Sequence, residues 1–257
     1  MKRLLSSIAL SGATAFGLVT ACSSTESPPA TIEPEARADT EEASTQVDTG
    51  VDAGAAVCAP TPFAGSARFV PSRAWHQDKC TAAQVAGYVR SCLESSSDVC
   101  AEYAKQNPAC FACAETDEKA AEWGAIVIFA NGSYFEENFA GCVANALGDR
   151  SKDGCGGSQA QFEECRREAC RGCLPIETQD DYDDFASCGA KKDITKVCAR
   201  ELAQIGVKCV GHIDPEPDDP IMPCLGEGLD STEYFRQYVA LFCSAAPAGD
   251  AGDASTD

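Results

Sequence analysis

Two cysteine-rich stretches decide the fold of this chain: CLESSSDVCAEYAKQNPACFAC at residues 92–113 and CGGSQAQFEECRREACRGC at residues 155–173. Each has four cysteines, the last two of which form Cys-x-x-Cys. Each is followed by Phe-Ala, a small residue and a further cysteine, Cys142 or Cys188. This repeated order predicts an internal duplication. Chance similarity between two cysteine-rich helical stretches is the alternative.

The cysteine count becomes even once Cys22 is set aside as a lipidation site. The chain has 17 cysteines in 257 residues, and Cys22 closes the lipobox VTAC after a basic start and an apolar stretch. This pattern predicts a lipoprotein signal peptide over residues 1–21 and a lipid on Cys22, with ordinary cleavage near Ala21 as the alternative. The remaining cysteines can then pair completely in an oxidising compartment. They are the predicted structural disulfide residues, with their pairing left open: Cys58, Cys80, Cys92, Cys100, Cys110, Cys113, Cys142, Cys155, Cys165, Cys170, Cys173, Cys188, Cys198, Cys209, Cys224 and Cys243.

The lipid on Cys22 is the predicted contact with the membrane. The longest strongly apolar run after the signal peptide, residues 123–130, is far below the roughly 20 residues needed to cross a bilayer. Ser23 follows the lipidated cysteine, and by resemblance to lipoproteins of diderm bacteria a serine there favours the outer membrane. We therefore expect an exported outer-membrane lipoprotein, with its periplasmic or cell-surface side left open.

The charge balance excludes nucleic acid as the expected partner. The full chain has a formal net charge of −20, and removal of Lys2 and Arg3 with the signal peptide leaves 18 basic against 40 acidic residues. Such a surface repels phosphate backbones and anionic lipid head groups. We expect the partner to be an unidentified protein or another component of the envelope.

Composition divides the mature chain into three parts. Residues 22–57 contain no aromatic residue and are rich in acidic residues, so they predict a disordered acidic tether. Residues 58–243 hold the sixteen remaining cysteines and predict one cysteine-rich helical domain. The predicted duplication gives repeats at about residues 80–142 and 142–188. Residues 244–257 are rich in Ala, Gly and Asp and predict a disordered tail.

Most local signals between the cysteines are helical. Capping-box spacing begins at Thr81, Ser158 and Asp230, each with Gln or Glu three residues later. An apolar pattern at 3-4-3 spacing follows Asp193 and predicts a helix that stops at Gly206. Helices are therefore expected at about residues 82–94, 98–106, 159–171, 193–206 and 231–242.

One segment has the signature of β-structure. The β-branched run at residues 126–128 leads through Asn131-Gly132 to Tyr134 and Phe135. Asn-Gly between apolar runs is the strongest short signal for a hairpin. The expected fold class is therefore mainly α: a disulfide-rich helical module with one inserted β-hairpin at about residues 125–137.

A combination of these motifs resembles a protein family. The lipobox, the tether, ACFAC at residues 109–113, Trp123-Gly124 before β-branched residues, the Gly141-Cys142 corner and Cys-x4-Cys-x2-Cys from Cys165 are together similar to uncharacterised cysteine-rich exported lipoproteins of myxobacteria. The resemblance covers about residues 92–188. It implies export and disulfide content, and it brings no known activity.

The two Cys-x-x-Cys pairs, Cys110/Cys113 and Cys170/Cys173, carry the main alternative function. A thiol-disulfide oxidoreductase would use such a pair, because a thiolate at a helix N-terminus is activated. The alanine before each pair and the lack of a βαβ pattern favour structural disulfides instead. Zinc is disfavoured by the long interval between the pairs, and c-type haem by the residues that follow them.

The acidic residues carry a second alternative, a cation-binding module. Residues 149–154 match the first positions of a calcium loop, but Ala160 stands where a bidentate Glu is needed. Two acidic clusters, at residues 180–184 and 214–219, could coordinate a hard cation, although a helix N-terminus and a Pro-rich loop explain them as well. No metal site is assigned.

No catalytic residue can be named from the sequence. The chain has two histidines, His76 and His212, and lacks the nucleophile and phosphate-binding motifs. We therefore expect no cofactor. The preferred function is a lipid-anchored, disulfide-stapled surface or periplasmic module with an interaction or structural role.

Overall fold

The computed structural model describes residues 58–63 and 65–246. The predicted signal peptide, the tether and residues 247–257 of the tail lie outside these residues, as does Cys22. The described part is mainly helical with one small sheet, which confirms the predicted fold class. Its helices are α1 (Ala82–Tyr88), α2 (Ser97–Gln106), α3 (Pro108–Ala114), α4 (Phe139–Ala146), α5 (Cys155–Ala169), α6 (Gln179–Ala190), α7 (Lys192–Val197), α8 (Ala199–Lys208), α9 (Met222–Leu225) and α10 (Ser231–Cys243). Its strands are β1 (Glu115–Asp117), β2 (Ile126–Phe129) and β3 (Tyr134–Glu137).

Two of the predicted helix starts are capped as the sequence indicates. The Thr81 side chain accepts a hydrogen bond from the Gln84 backbone N–H, and the Gln84 side chain accepts one from Thr81 N–H, so α1 begins with a complete capping box. The first α-helical turns continue into a π-helical turn at Val89–Leu93, within the predicted range. The Asp230 side chain caps α10 by accepting from Glu233 N–H at 2.8 Å.

The predicted start behind Ser158 is wrong. Helix α5 begins at Cys155, and the buried Ser158 hydroxyl donates to the carbonyl oxygen of Gly154 at 3.1 Å instead of capping a helix. The cause is the close approach of α4. A Cβ atom on Gly156 would lie 2.5 Å from the carbonyl oxygen of Ala140, so glycine lets the first turn of α5 form directly against α4.

The single helix predicted from Asp193 to Gly206 is two helices. Helix α7 ends at Val197 and α8 begins at Ala199, because Cys198 leaves the helical conformation between them at φ −102° and ψ 27°. Cys198 is fully buried and is bonded to Cys165 of α5. Gly206 lies inside α8, which continues to Lys208.

The predicted hairpin is confirmed, and it has a third strand. Strands β2 and β3 pair antiparallel, with Phe129 opposite Tyr134. Between them Asn131 and Gly132 adopt positive φ angles of 56° and 96°, which these two residue types tolerate best. Strand β1 adds to β2 in parallel, in the order β1-β2-β3.

The sheet separates two hydrophobic cores. Successive side chains of a strand point to opposite faces, and Ile126 and Phe135 join the first core, built by α1, α3 and α10. Val127, Phe129 and Tyr134 join the second core, built by α5 and α6. Because both faces are covered, β2 is a continuous apolar run.

Eight disulfides use all sixteen described cysteines, which confirms the predicted disulfide-rich character. Such a density indicates a chain that folds in an oxidising, exported environment. The pairs are Cys58–Cys173, Cys80–Cys110, Cys92–Cys100, Cys113–Cys243, Cys142–Cys224, Cys155–Cys209, Cys165–Cys198 and Cys170–Cys188.

The pairing does not repeat between the two cysteine-rich stretches. Cys92 bonds to Cys100, whereas the corresponding Cys155 and Cys165 each bond to a cysteine outside their stretch. The internal duplication therefore stays a prediction.

Candidate functional site

Neither Cys-x-x-Cys motif forms a disulfide within itself. In the first motif Cys110 bonds to Cys80 and Cys113 to Cys243. In the second, Cys170 bonds to Cys188 and Cys173 to Cys58. The described structure therefore has no Cys-x-x-Cys bridge of the type that an oxidoreductase would reduce and reoxidise directly.

The first motif is also inaccessible. Cys110 and Cys113 lie on α3 and are 0% and 3% exposed, within the core that α1 and α10 cover. Thiol exchange requires access of the attacking thiolate to a sulfur. These residues therefore act as fixed links between α3 and its neighbours.

Asp181 of the first acidic cluster and Asp149 of the candidate calcium loop have structural roles. Asp181 completes a capping box with Thr178 at the start of α6, and these hydrogen bonds, led by that from the Thr178 hydroxyl, lower the pKa of the Asp181 carboxyl. Asp149 accepts from Ser151 N–H at 2.9 Å in a turn before α5. Among the described residues, the one group of three metal-ligating side chains within mutual reach is Cys58, Cys173 and Cys188, all in disulfides.

Within the part of the chain that the structure describes, the largest side-chain ion network joins α5 to the hairpin. Arg167 contacts the Glu136 carboxylate at 2.6 Å and the Glu164 carboxylate at 3.1 Å, with only 10% of its side chain exposed. Glu163, one residue before Glu164, has its pKa raised to about 7 by burial, although Arg167 acts in the opposite direction. Glu136 and Glu164 are committed to Arg167, so they are a poor candidate for acid–base chemistry. The Glu163 carboxylate accepts a hydrogen bond from the Gln159 side chain at 3.3 Å instead.

An apolar cavity of about 200 Å³ lies between α4, α5, α8 and the loop that follows α8. Its lining is mainly aliphatic and aromatic, with one amide and one imidazole: Phe139, Val143, Cys155, Gln159, Ile205, Cys209, His212, Ile213, Pro215, Ile221 and Leu225. The Cys155–Cys209 disulfide joins two of its walls. We call this cavity the α8 groove.

The loop over the α8 groove is held by His212 and Asp219. Nδ1 of His212 lies 2.7 Å from Oδ2 of Asp219, whose other oxygen accepts from Ile221 N–H at 2.9 Å. The backbone hydrogen bond from Ile221 and then the interaction with His212 lower the pKa of Asp219. His212 therefore fixes the wall of the groove.

Three large aliphatic side chains at the end of α8 and in the loop that follows it face solvent. Val207, Val210 and Ile213 are 67%, 71% and 58% exposed, and Ile213 also lines the groove. Single exposed apolar residues are ordinary, but three of them within seven residues, in the segment that forms one wall of an apolar groove, are typical of a binding surface. We call these three residues the apolar rim.

Sequence reasoning missed the apolar rim, although its signal is visible. The three residues recur every third position, across the end of α8 and into a Gly-containing loop. The next acidic residues along the chain, Asp214, Glu216 and Asp218, are exposed. The loop that supplies one wall of the apolar groove therefore carries exposed negative charge.

Comparison with known proteins gives no match: no family model, no curated protein and no solved structure is similar to the chain. The resemblance to cysteine-rich exported lipoproteins of myxobacteria stays a prediction. None of the helices in the described residues is both long enough and apolar enough to cross a membrane.

Proposed function

We propose that this chain is a lipid-anchored, disulfide-stapled module of the outer membrane, which binds a protein partner of the envelope in the α8 groove. The observation that carries the proposal is the apolar rim. Burial of aliphatic surface is worth roughly 25 cal/mol for each Å² removed from water. Three exposed side chains in the segment that forms one wall of the groove therefore offer a binding surface.

The loop that forms one wall of the groove specifies the kind of partner. Asp214, Glu216 and Asp218 are exposed on this loop, which supplies Ile213 and Pro215 to the lining, and complementary charge favours both encounter and correct orientation. The occupant is therefore a protein segment that presents an apolar side chain between lysine or arginine residues. The acidic net charge of the whole chain also favours a basic partner segment.

The disulfides support this role because they hold the groove open in a fixed shape. Cys155–Cys209 ties α5 to the end of α8, and Cys142–Cys224 ties α4 to α9. A surface that is rigid before binding loses less conformational entropy when the partner arrives. The module thus presents a preformed site at the end of its tether.

Site-specific photo-crosslinking in intact envelopes tests the binding surface. A photoreactive residue at Val210 is expected to crosslink to a protein segment with basic residues around an apolar one, and Ile213→Asp is expected to abolish the product. The same probe at Thr195, an exposed residue of α7, is the control. Crosslinks to lipid alone, or equal products from both positions, would contradict the proposal.

Fractionation tests the anchor separately. Cys22→Ser is expected to release a folded protein from the membrane fraction, because the lipid is the proposed membrane contact. Retention of the variant in the membrane fraction would exclude lipidation as the means of attachment, and it would leave the crosslinking result independent.

A further inference from the structure

Sulfur atoms of two different disulfides meet at one place in the second core. The Sγ atoms of Cys58, Cys173 and Cys188 all lie within 4.8 Å of one another. Cys58 and Cys173 form one bridge, and Cys188 belongs to the other, with Cys170. We call these four residues the paired bridges.

The paired bridges differ in exposure. Cys58 and Cys173 are partly exposed, whereas Cys170 and Cys188 are 1% and 0% exposed. An external thiol can therefore reach the first bridge and cannot reach the second. The inner bridge can be attacked only by a sulfur that is already beside it.

Two contacts fix the position of Cys58. The Lys191 ammonium group donates a hydrogen bond to the Cys58 carbonyl oxygen. Cys58 Sγ lies 3.2 Å from the backbone carbonyl oxygen of Asp184, so the sulfur is held against α6. Once the outer bridge is reduced, the Cys58 thiolate is the attacking species, and Sγ of Cys188 is already within its reach.

We propose that the paired bridges form a thiol-disulfide exchange site, in which reduction of the outer bridge is passed to the inner one. An external dithiol reduces Cys58–Cys173 to two thiols and is itself oxidised to a disulfide. The Cys58 thiolate then attacks Sγ of Cys188, so the Cys58–Cys188 bond forms and the Cys170–Cys188 bond breaks. Cys170 leaves as a thiolate and takes a proton from solvent.

The product of the exchange is a free Cys170-x-x-Cys173 dithiol at the end of α5. Two electrons and two protons have moved from the external dithiol to the protein, and the number of protein disulfides falls by one. The second Cys-x-x-Cys motif thus becomes a reactive pair only after exchange. This activity goes beyond the proposed binding role and does not depend on the α8 groove.

Limited reduction of the intact folded protein tests the proposal. Dithiothreitol is added at pH 8, samples are quenched with acid over time, and free thiols are alkylated and located by mass spectrometry. Early samples are expected to carry label on Cys58 and Cys173. In later samples label is lost from Cys58 and gained in equal amount on Cys170.

The Cys92–Cys100 bridge is the internal control. Both of its sulfurs are buried, and it belongs to no such sulfur group in the described residues, so it is expected to stay unlabelled throughout. Label that remains on Cys58 and Cys173, or that appears first at any other bridge, would overturn the proposal. So would the absence of label until the protein unfolds.

A double variant, Cys170→Ser with Cys188→Ser, gives a second measurement. Without the inner bridge there is no acceptor, and label is expected to stay on Cys58 and Cys173 at all times. The wild-type time course decides the proposal by itself if this variant does not fold. Movement of label away from Cys58 in the double variant would show that the inner bridge is not the acceptor.

Discussion

The guanidinium carbon of Arg167 lies 4.6 Å from the centroid of the Phe129 ring. This cation–π contact joins α5 to strand β2, while the same guanidinium binds Glu136 of β3 and Glu164 of its own helix. Phe129 in turn stacks on Tyr134 with ring centroids 5.4 Å apart. One side chain therefore connects the hairpin to the helical part of the second core.

Arg167→Ala is expected to destabilise the protein by about 3–5 kcal/mol, because it leaves partly buried carboxylates without their counter-ion. Arg171→Ala is the matched control. Arg171 also pairs with a glutamate three residues earlier, but 68% of its side chain is exposed, so its loss should cost less than about 0.5 kcal/mol. Urea unfolding of the two variants gives the comparison, and equal losses would contradict it.

Glu163→Gln is expected to stabilise the protein at pH 8. Burial raises the pKa of Glu163 to about 7 in the folded state from its ordinary value of 4.5, so ionisation costs folding free energy that grows as pH rises between these values. The gain should be roughly 1–3 kcal/mol at pH 8 and vanish near pH 4.

Glu164→Gln is the control for that measurement, because it removes an ion pair with Arg167. It should lower the melting temperature at pH 8. Melts of both variants at pH 4, 6 and 8 separate the effects. A Glu163→Gln gain that is independent of pH would show that the carboxylate charge is not its cause.

Gly156→Ala is expected to cost about 1–3 kcal/mol, because the new Cβ would lie 2.5 Å from the Ala140 carbonyl oxygen. Gly206→Ala should instead add about 0.5–1 kcal/mol. Gly206 is also helical, but outside its own stretch of helix no atom lies within 4 Å of its added Cβ, and alanine favours the helix. Thermal melts of the two variants should shift in opposite directions.

Removal of Cys113–Cys243 is expected to cost more stability than removal of Cys92–Cys100. Both bridges are buried, but they span 130 and 8 residues. Closing a longer loop restricts the unfolded chain more. The other bridges already shorten the long loop, so the difference should be about 1–2 kcal/mol rather than the full value for free chains. Denaturation of the two double Cys→Ser variants measures it, and equal losses would contradict the entropic account.

Local signals in the sequence predicted the elements that depend on local contacts. Thr81 and Asp230 cap helices where their spacing indicates, and Asn131-Gly132 turns the hairpin. The start of α5 and the break at Cys198 were not predictable, because each is set by a partner distant in sequence: Ala140 for Gly156 and Cys165 for Cys198.

The same limit applies to the candidate site. The even cysteine count indicated that the exported chain is disulfide-rich, but connectivity is a property of the tertiary structure. The α8 groove brings together side chains from Phe139 to Leu225. No local sequence pattern predicts a surface whose residues lie so far apart in the chain.

The long disulfides also bear on how an exported chain completes its fold as it crosses the membrane N-terminus first. Cys80 and Cys110 lie 30 residues apart, so both partners emerge close together. Cys113 cannot form its disulfide until Cys243 emerges, 130 residues later. Cys58 cannot form its disulfide until Cys173 emerges. Cys113 therefore stays unbonded and exposed to wrong pairing for the longest interval, and α10, the last helix of the described residues, is the one that closes the core built by α1, α3 and α10.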